Sequence, residues 1–366
     1  MGPLKAIKVV ELAGVGPGPM CAMLLADLGA EVLRIERLTP SDLGVPRPRR
    51  FNLTLRGRKT IALDLKSPDG KETMLKLVER SDVLIEGFRP GVAERLGLGP
   101  ADCFSRNPML IYGRITGWGQ SGPLANAAGH DLNYIALTGV LSTIGRRGQP
   151  PSPPLNLVGD FGGGALYLAV GILSALLERQ QAGRGQVVDA AIVDGAASLM
   201  TQFYGMAAAG LWSEERGTNA LDSGAPFYDV YECADGRFAS VAPIEHKFLV
   251  ELVARLELPQ TAAYLARDVR NWPQLRLLLS DKFKSMPLDH WCTILEGTDS
   301  CFCPVLRIDE APNHPHLKQR RTFIEIDGIV QPAPAPRFSR SVPETPCSPQ
   351  APDPERSREI VAEWLS

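Results

Sequence analysis

The sequence predicts an α/β protein, with a large domain built on a parallel sheet and a smaller α+β domain after it. Three observations carry this expectation. Strand-like and helical apolar patterns alternate through the first half of the chain. After about residue 220 that rhythm gives way to a hairpin signal. The length, 366 residues, exceeds one small core and suits two domains.

Taken in order, Ile7 to Leu12 is a short β-branched run, followed by Gly14, Gly16 and Gly18 and then a helical pattern at Met20, Met23, Leu24 and Leu28. Gly29 stops that helix, and Glu31 to Glu36 alternates as a strand. The unit recurs with a strand at Ile61 to Leu65, Ser67 as N-cap and Pro68 as the first residue of a helix through Arg80, then a strand at Val83 to Glu86. Met109 to Arg114 reads as a further strand and runs into the glycine-dense loop Thr116 to Pro123. Residues 159–164 form a glycine-rich entrance to an apolar helix, Ala165 to Gln180, closed near Gly183.

Beyond residue 220, Phe227 to Cys233 and Arg237 to Ala242 flank the turn Ala234-Asp235-Gly236. Helical patterns follow at Phe248 to Leu256, Leu275 to Phe283 and Leu288 to Leu295, then a strand near Phe302 to Leu306. Val330 to Pro336 is too proline-rich for a helix or central strand and reads as extended chain before a last helix, Pro354 to Leu365.

Composition narrows the function. With 44% apolar and 22% charged residues the chain is globular rather than disordered. A formal charge of -2 with dispersed Lys and Arg supplies no basic face for nucleic acid or an anionic membrane. No uninterrupted apolar run is long enough to span a bilayer and no signal-peptide pattern opens the chain. Seven cysteines without CxxC spacing read as reduced thiols, and the ending is not Ser-Lys-Leu, so a cytoplasmic location is expected.

Several motifs compete for the chemistry. Gly14-Val-Gly16-Pro-Gly18-Pro19 has the look of a dinucleotide turn with Glu36 as its ribose acid, but a proline stands at the third glycine and two prolines remove amide donors. His314-Pro-His316 and the pair Cys301 and Cys303 lack partners at metal-site spacing, so no metal is expected. His130 lies between two glycine-rich segments at a helix mouth, and Asp160 precedes three glycines. Residue physics alone leaves both open as caps or as acid/base groups. Arg34, Arg37, Arg56, Arg58, Lys59 and Arg89 flank predicted strand ends, either as scattered solvated charge or as a site for a polyanion such as coenzyme A.

Whole phrases then carry a resemblance. Val-Val-Glu-Leu-Ala-Gly at 9–14, Ala-Asp-Leu-Gly-Ala-Glu-Val at 26–32, Ile-Ala-Leu-Asp-Leu-Lys at 61–66, Glu-Gly-Phe-Arg-Pro-Gly-Val at 86–92, Gly-Gln-Ser-Gly-Pro at 119–123 and Gly-Arg-Gly-Gln-Val-Val-Asp-Ala at 183–190 resemble the family III CoA-transferases. Gly129 to Tyr134, Asn156 to Gly164 and Gly224 to Tyr228 resemble the α-methylacyl-CoA racemase branch of that family. The resemblance implies a Rossmann-like large domain from 1–200 and 330–366, a small domain from 220–315, linkers at 201–219 and 316–329, and an interlocked homodimer. It assigns His130 and Asp160 as the two acid/base groups, with Glu245 orienting the histidine. It assigns coenzyme A contacts to Arg37, Arg56, Gly57, Arg58, Lys59, Arg89, Gly129, Asp131 and Tyr134. Ser223, where related racemases usually carry glycine, Cys303, where threonine is common, and the loop 38–51 depart from the pattern and bear on acyl-chain preference.

The implied chemistry explains the residue types. Inverting a carbon beside a thioester needs a proton carrier on each face of a planar enolate. Histidine titrates near neutrality, and a partly desolvated aspartate is a better base than a solvated one, so an elevated Asp160 pKa is expected. Amides at Gly162 to Gly164 and near Asp131 are expected to support the enolate. Coenzyme A enters with the substrate and no other cofactor is called for. The alternative is CoA transfer with Asp160 as nucleophile.

Overall fold

The computed structural model describes residues 2–39 and 44–366. Residues 40–43, within the divergent loop 38–51, lie outside the described residues. The chain divides into two compact units, the first from Met1–Thr138, Pro154–Thr201 and Pro315–Ser366, the second from Gly139–Pro153 and Gln202–His314.

In the first unit, β1 (Lys8–Leu12), β2 (Glu31–Glu36), β3 (Lys59–Ala62), β4 (Val83–Glu86), β5 (Ile111–Thr116) and β6 (Gln186–Ala191) form one parallel sheet in the order β3-β2-β1-β4-β5-β6. That is the doubly wound order, with its direction reversing between β1 and β4. The central strands are apolar on both faces because helices cover both, as with Val9, Val10, Val83 and Leu84, all fully buried. β3 begins two residues earlier than the sequence pattern suggested, because its register with β2 pairs Lys59 with Leu33. β6 was not anticipated. It is an edge strand whose outer residues, Gln186 and Val187, are exposed, so alternation is weak.

The helices α1 (Pro17–Asp27), α2 (Pro68–Glu79) and α3 (Asp131–Leu137) follow their start signals. Ser67 Oγ accepts the Gly70 N–H at 3.1 Å, and Pro68 opens α2 where an N–H would go unused. The glycine-rich entrance is different from expectation. Leu157–Leu166 is already helical, wound as a π-helix, and runs without a break into α4 (Tyr167–Ala182), which ends at Gly183 in the left-handed conformation. Packing overrides the glycines' reluctance to be helical. A Cβ on Gly195, in α5 (Ile192–Leu199), would lie 1.9 Å from the Gly163 carbonyl oxygen, so the two backbones touch through paired glycines.

By length and composition the continuous helix Leu157–Ala182 could cross a bilayer, which a count of uninterrupted apolar residues does not register. Its packing is that of a core helix, with Leu168, Ala169, Ile172, Ala175 and Leu176 buried in the cluster that includes Val9, Val83 and Ile111. The C-terminal helix Pro354–Leu365 is as expected, and buries Ile360 and Trp364 against Met74, Leu77 and Val78.

The second unit is α+β. β7 (Asp229–Glu232), β8 (Phe238–Val241) and β9 (Phe302–Pro304) form an antiparallel sheet, packed with α6 (His246–Arg255), α7 (Trp272–Lys284) and α8 (Leu288–Leu295) around Leu252, Leu279, Phe283 and Trp291. Two boundaries differ from the sequence reading. Gly139–Pro153 belongs with this unit, because Arg146 pairs with Asp229 and Arg216 donates to the carbonyls of Ser142 and Gln149. Residues 316–329 are no simple linker, since they contain the first strand of a hairpin, Phe323–Ile326 with Ile329–Pro332, in the first unit.

Candidate active site

The site lies in the first unit, near the carboxyl end of β1, where doubly wound sheets bind ligands. The turn after β1 places Gly16, with φ 69°, at the start of α1. A side chain there would bring its Cβ within 3.0 Å of Asp160 Oδ2. The glycines that imitate a dinucleotide turn therefore bring the backbone against a carboxylate.

Asp160 is the fourth residue of the π-helical stretch. Its N–H donates to Asp131 Oδ1 at 2.6 Å, and its Oδ2 accepts from Asn156 Nδ2 at 3.2 Å. Asp160 does not cap the helix; Asp131 does. Burial raises the Asp160 pKa, the Asn156 hydrogen bond opposes this, the Asp131 charge raises it further and the His130 charge lowers it. The expected elevation is found, with Asp131 as a contributor that the sequence reading missed.

His130 is the N-cap of α3, exposed, with its N–H bonded to Asn133 Oδ1 at 3.0 Å and its carbonyl accepting from Asn133 N at 2.8 Å. These bonds hold the backbone and leave the ring at the surface, within electrostatic reach of Asp160. Asp131, the next residue, is buried, and burial raises its pKa against hydrogen bonds from the Asp160 and Gly159 amides. Gly159 allows this approach, because a Cβ there would stand 2.5 Å from Asp131 Oδ1.

Tyr134 backs the site. Its hydroxyl donates to the Gly129 carbonyl at 2.5 Å and its ring meets Trp118 edge-on at 4.7 Å. Burial pushes the Tyr134 pKa up to about 12, helped by the Asp160 charge and opposed by Arg89, which is exposed.

The amides of Gly162 to Gly164 do not form the expected enolate support. The helix begins a turn earlier, its bonds run from residue i to i−5 as in Phe161 N–H to Asn156 O at 3.3 Å, and these donors are internal to it.

The row of phosphate-binding cations is also thinner than expected. Arg56 is buried, paired through Nη2 with Asp27 at 2.6 Å and bonded through Nη1 to Gln331 Oε1 and the Pro332 carbonyl. Arg58 is buried against Glu11 and the carbonyls of Pro19 and Thr54. Both guanidiniums are turned inward, so neither is free to meet a phosphate. Gly57 between them, with φ 74°, donates its N–H to the Cys347 carbonyl at 2.9 Å. Lys59 bridges Glu31 at 3.1 Å and Glu363 at 2.9 Å and stays partly exposed. Arg37, just past β2, is exposed.

Glu245 lies in the second unit, exposed at the N-cap of α6. Ser223, also in that unit, has φ 74°, the conformation that suits the glycine the resemblance expects there, and Cys303 is exposed on β9.

A doubly wound unit that sets a surface imidazole and a half-buried carboxyl within reach of each other has the parts of an enzyme of acid–base chemistry. Residues 4–358 match the family model of CoA-transferase family III, and the chain belongs to that family. It is 44% identical to mouse alpha-methylacyl-CoA racemase over 99% of this chain and 93% of that protein. It is 45% identical to the human alpha-methylacyl-CoA racemase over 91% of this chain and 86% of that protein. Among solved structures, a CAIB/BAIF family protein from Brucella suis superposes with a TM-score of 0.83 at 27% identity, covering 99% of both chains.

Proposed function

We propose that this chain interconverts (2R)- and (2S)-2-methylacyl-CoA thioesters by 1,1-proton transfer. The observation that carries the proposal is the bond from the Asp160 N–H to Asp131, the residue after His130, which ties the segment of a half-buried carboxyl to that of an exposed imidazole. Its similarity to racemases of mouse and human supports the same reading.

In one direction the C2–H bond breaks, its electrons pass to the thioester as an enolate, and neutral His130 takes the proton. Protonated Asp160 then delivers a proton to C2 from the other face. In the reverse direction the roles exchange. A raised Asp160 pKa serves both steps, because the carboxyl holds a proton closer to neutral pH and is a stronger base when it has none. Arg37, Lys59 and Arg89, with the backbone at Gly57 and Gly129 to Tyr134, are assigned to coenzyme A. Heterolytic C–H cleavage and its reversal change no oxidation state, so the substrate's own coenzyme A is the only carrier required. Glu245 is assigned to support of the imidazolium, as the resemblance implies.

The exposed Leu166, Val170 and Leu177 on the helix Leu157–Ala182 support a second copy of the chain as partner, the homodimer that the resemblance implies. Action on branched acyl-CoA in the cytoplasm completes the proposal.

Incubating one epimer of a 2-methylacyl-CoA in D₂O should yield both epimers with deuterium at C2. His130→Ala should slow this by about 10²- to 10⁴-fold. Normal exchange in that variant sinks the assignment. CoA transfer is the second reading, favoured by the half-buried carboxyl of Asp160 behind a side-chain-free Gly16. Asp160 would attack the donor carbonyl and release CoA thiolate, which would then attack the resulting anhydride to give an aspartyl-CoA thioester and the free donor acid. Hydroxylamine trapping at Asp160 during turnover with an acceptor acid would favour it.

A further inference from the structure

Asp131 follows the histidine, yet its carboxyl group faces inward, away from any role as a surface contact for coenzyme A. The residue is 5% exposed. One oxygen, Oδ1, accepts the Asp160 N–H at 2.6 Å. The other, Oδ2, is buried and makes no hydrogen bond among the described residues. Leaving a buried carboxylate oxygen unsatisfied is costly, and such an atom in a native fold calls for an explanation. Gly159 is the residue that permits the arrangement, since a Cβ there would overlap Oδ1.

We propose that Asp131 is a positioning residue for Asp160, fixing the turn that aims the Asp160 carboxyl and coupling that group's proton to a second, buried negative charge. The inference rests on the racemase reading for its catalytic consequence. Its structural part stands apart, because the amide bond and the orphan oxygen are there whatever the substrate.

Two effects follow from one side chain. As an acceptor, Asp131 ties the first turn of the π-helix to the start of α3, so the segment bearing one acid/base group is fastened to the segment bearing the other. As a charge, it adds to burial, the larger cause, in opposing ionisation of Asp160. The other groups around the pair act differently. His130 favours the ionised form of Asp160, Asn156 is a neutral donor to it, and Tyr134 feels both carboxyls as well as Arg89.

Asp131→Asn separates the effects, because its side-chain oxygen still accepts the Asp160 N–H while the charge is gone. The measurement is the ¹³C titration of the Asp160 carboxyl, assigned by its loss in Asp160→Asn, together with the acid limb of the kcat/KM profile for C2 exchange. Asp131→Asn should move both toward lower pH by roughly half a unit to one unit, within the range that neighbouring like charges produce. Asp131→Ala should cut kcat by about tenfold or more with little change in KM, since it removes the fastening, and Asp131→Asn should restore most of the rate at neutral pH. If Asp131→Ala does not fold, Asp131→Asn alone decides the matter. An unmoved Asp160 titration in Asp131→Asn overturns the inference. A wild-type enzyme that titrates as expected but exchanges no C2 proton overturns the racemase reading instead.

Discussion

A single carboxyl group sets the pH behaviour expected of the site. Asp160 has its pKa raised from an ordinary 3.8, chiefly by burial. In the window between that value and the raised one the native chain binds more protons than the unfolded chain, so stability falls as pH rises through it and stays lower above it. Asp160→Asn carries no such penalty. It should melt at a higher temperature than the wild type at pH 7 while losing exchange activity, and the gap should close below about pH 4. Thermal melts across that range check the sign. Ser223, held at φ 74°, is a second residue in tension with its backbone. The left-handed region costs a non-glycine residue about 1–2 kcal/mol, partly offset by the greater unfolded freedom of glycine. Ser223→Gly should therefore stabilise the protein by roughly 0.5 kcal/mol, visible as a small rise in melting temperature. At this scale the sequence was informative about identity and poor about environment. His130 and Asp160 could be singled out from their phrases, whereas Asp131 was assigned to coenzyme A and its tie to the Asp160 amide could not be foreseen. Its signal was the glycine at 159, which makes room for a carboxyl donated from elsewhere in the chain.

Among the elements, start and stop signals were the most readable features. Ser67-Pro68 and Asp353-Pro354 each mark a helix whose first residue is the proline, because a capping oxygen and a missing N–H act locally and owe nothing to the rest of the fold. The π-helical stretch is not legible for the opposite reason, since its glycines make sense only against distant neighbours, Gly159 against Asp131 and Gly163 against Gly195 and Ala196 in α5. Arg56 and Arg58 are buried against the sequence expectation, which follows from arginine being surface-seeking by default. Arg58 is instead the partner of Glu11 on β1, with Arg34 on β2 as the third member. Removing Arg58 leaves Glu11 paired with Arg34 but strips a donor from Glu11 Oε2 and from the carbonyls of Pro19 and Thr54. Arg58→Met should cost about 3 kcal/mol of stability, with the KM for acyl-CoA largely unchanged in the folded fraction. Denaturant unfolding beside initial-rate kinetics tests this, and a selective rise in KM would return Arg58 to the coenzyme A site.

For the whole molecule, the alternation of strand and helix was enough to foresee a parallel sheet, and the hairpin turn enough to foresee an antiparallel one. The resemblance gave the sharing of the chain in outline, both ends in one unit and the middle in the other, but not the separate stretch Gly139–Pro153. It enters the second unit twice, at Gly139–Pro153 and Gln202–His314, and Arg146 of the first stretch pairs with Asp229 of the second. The first unit is completed only by its last residues, where Trp364 Nε1 donates to the Leu77 carbonyl and Ser81 Oγ, each at 3.3 Å. Deleting Pro354–Ser366 should destabilise the first unit by several kcal/mol, by loss of the buried Trp364 and Ile360, and should lower the melting temperature and exchange activity together. The same latch has a meaning for synthesis. Every strand of the six-stranded sheet has left the ribosome once Ala191 is out, yet the part of α2 that Ile360 and Trp364 cover stays open until the helix Pro354–Leu365 has followed. A nascent chain therefore carries an unfinished, sticky domain through the whole synthesis of the second unit, and its window for aggregation or chaperone capture closes only once Trp364 can dock.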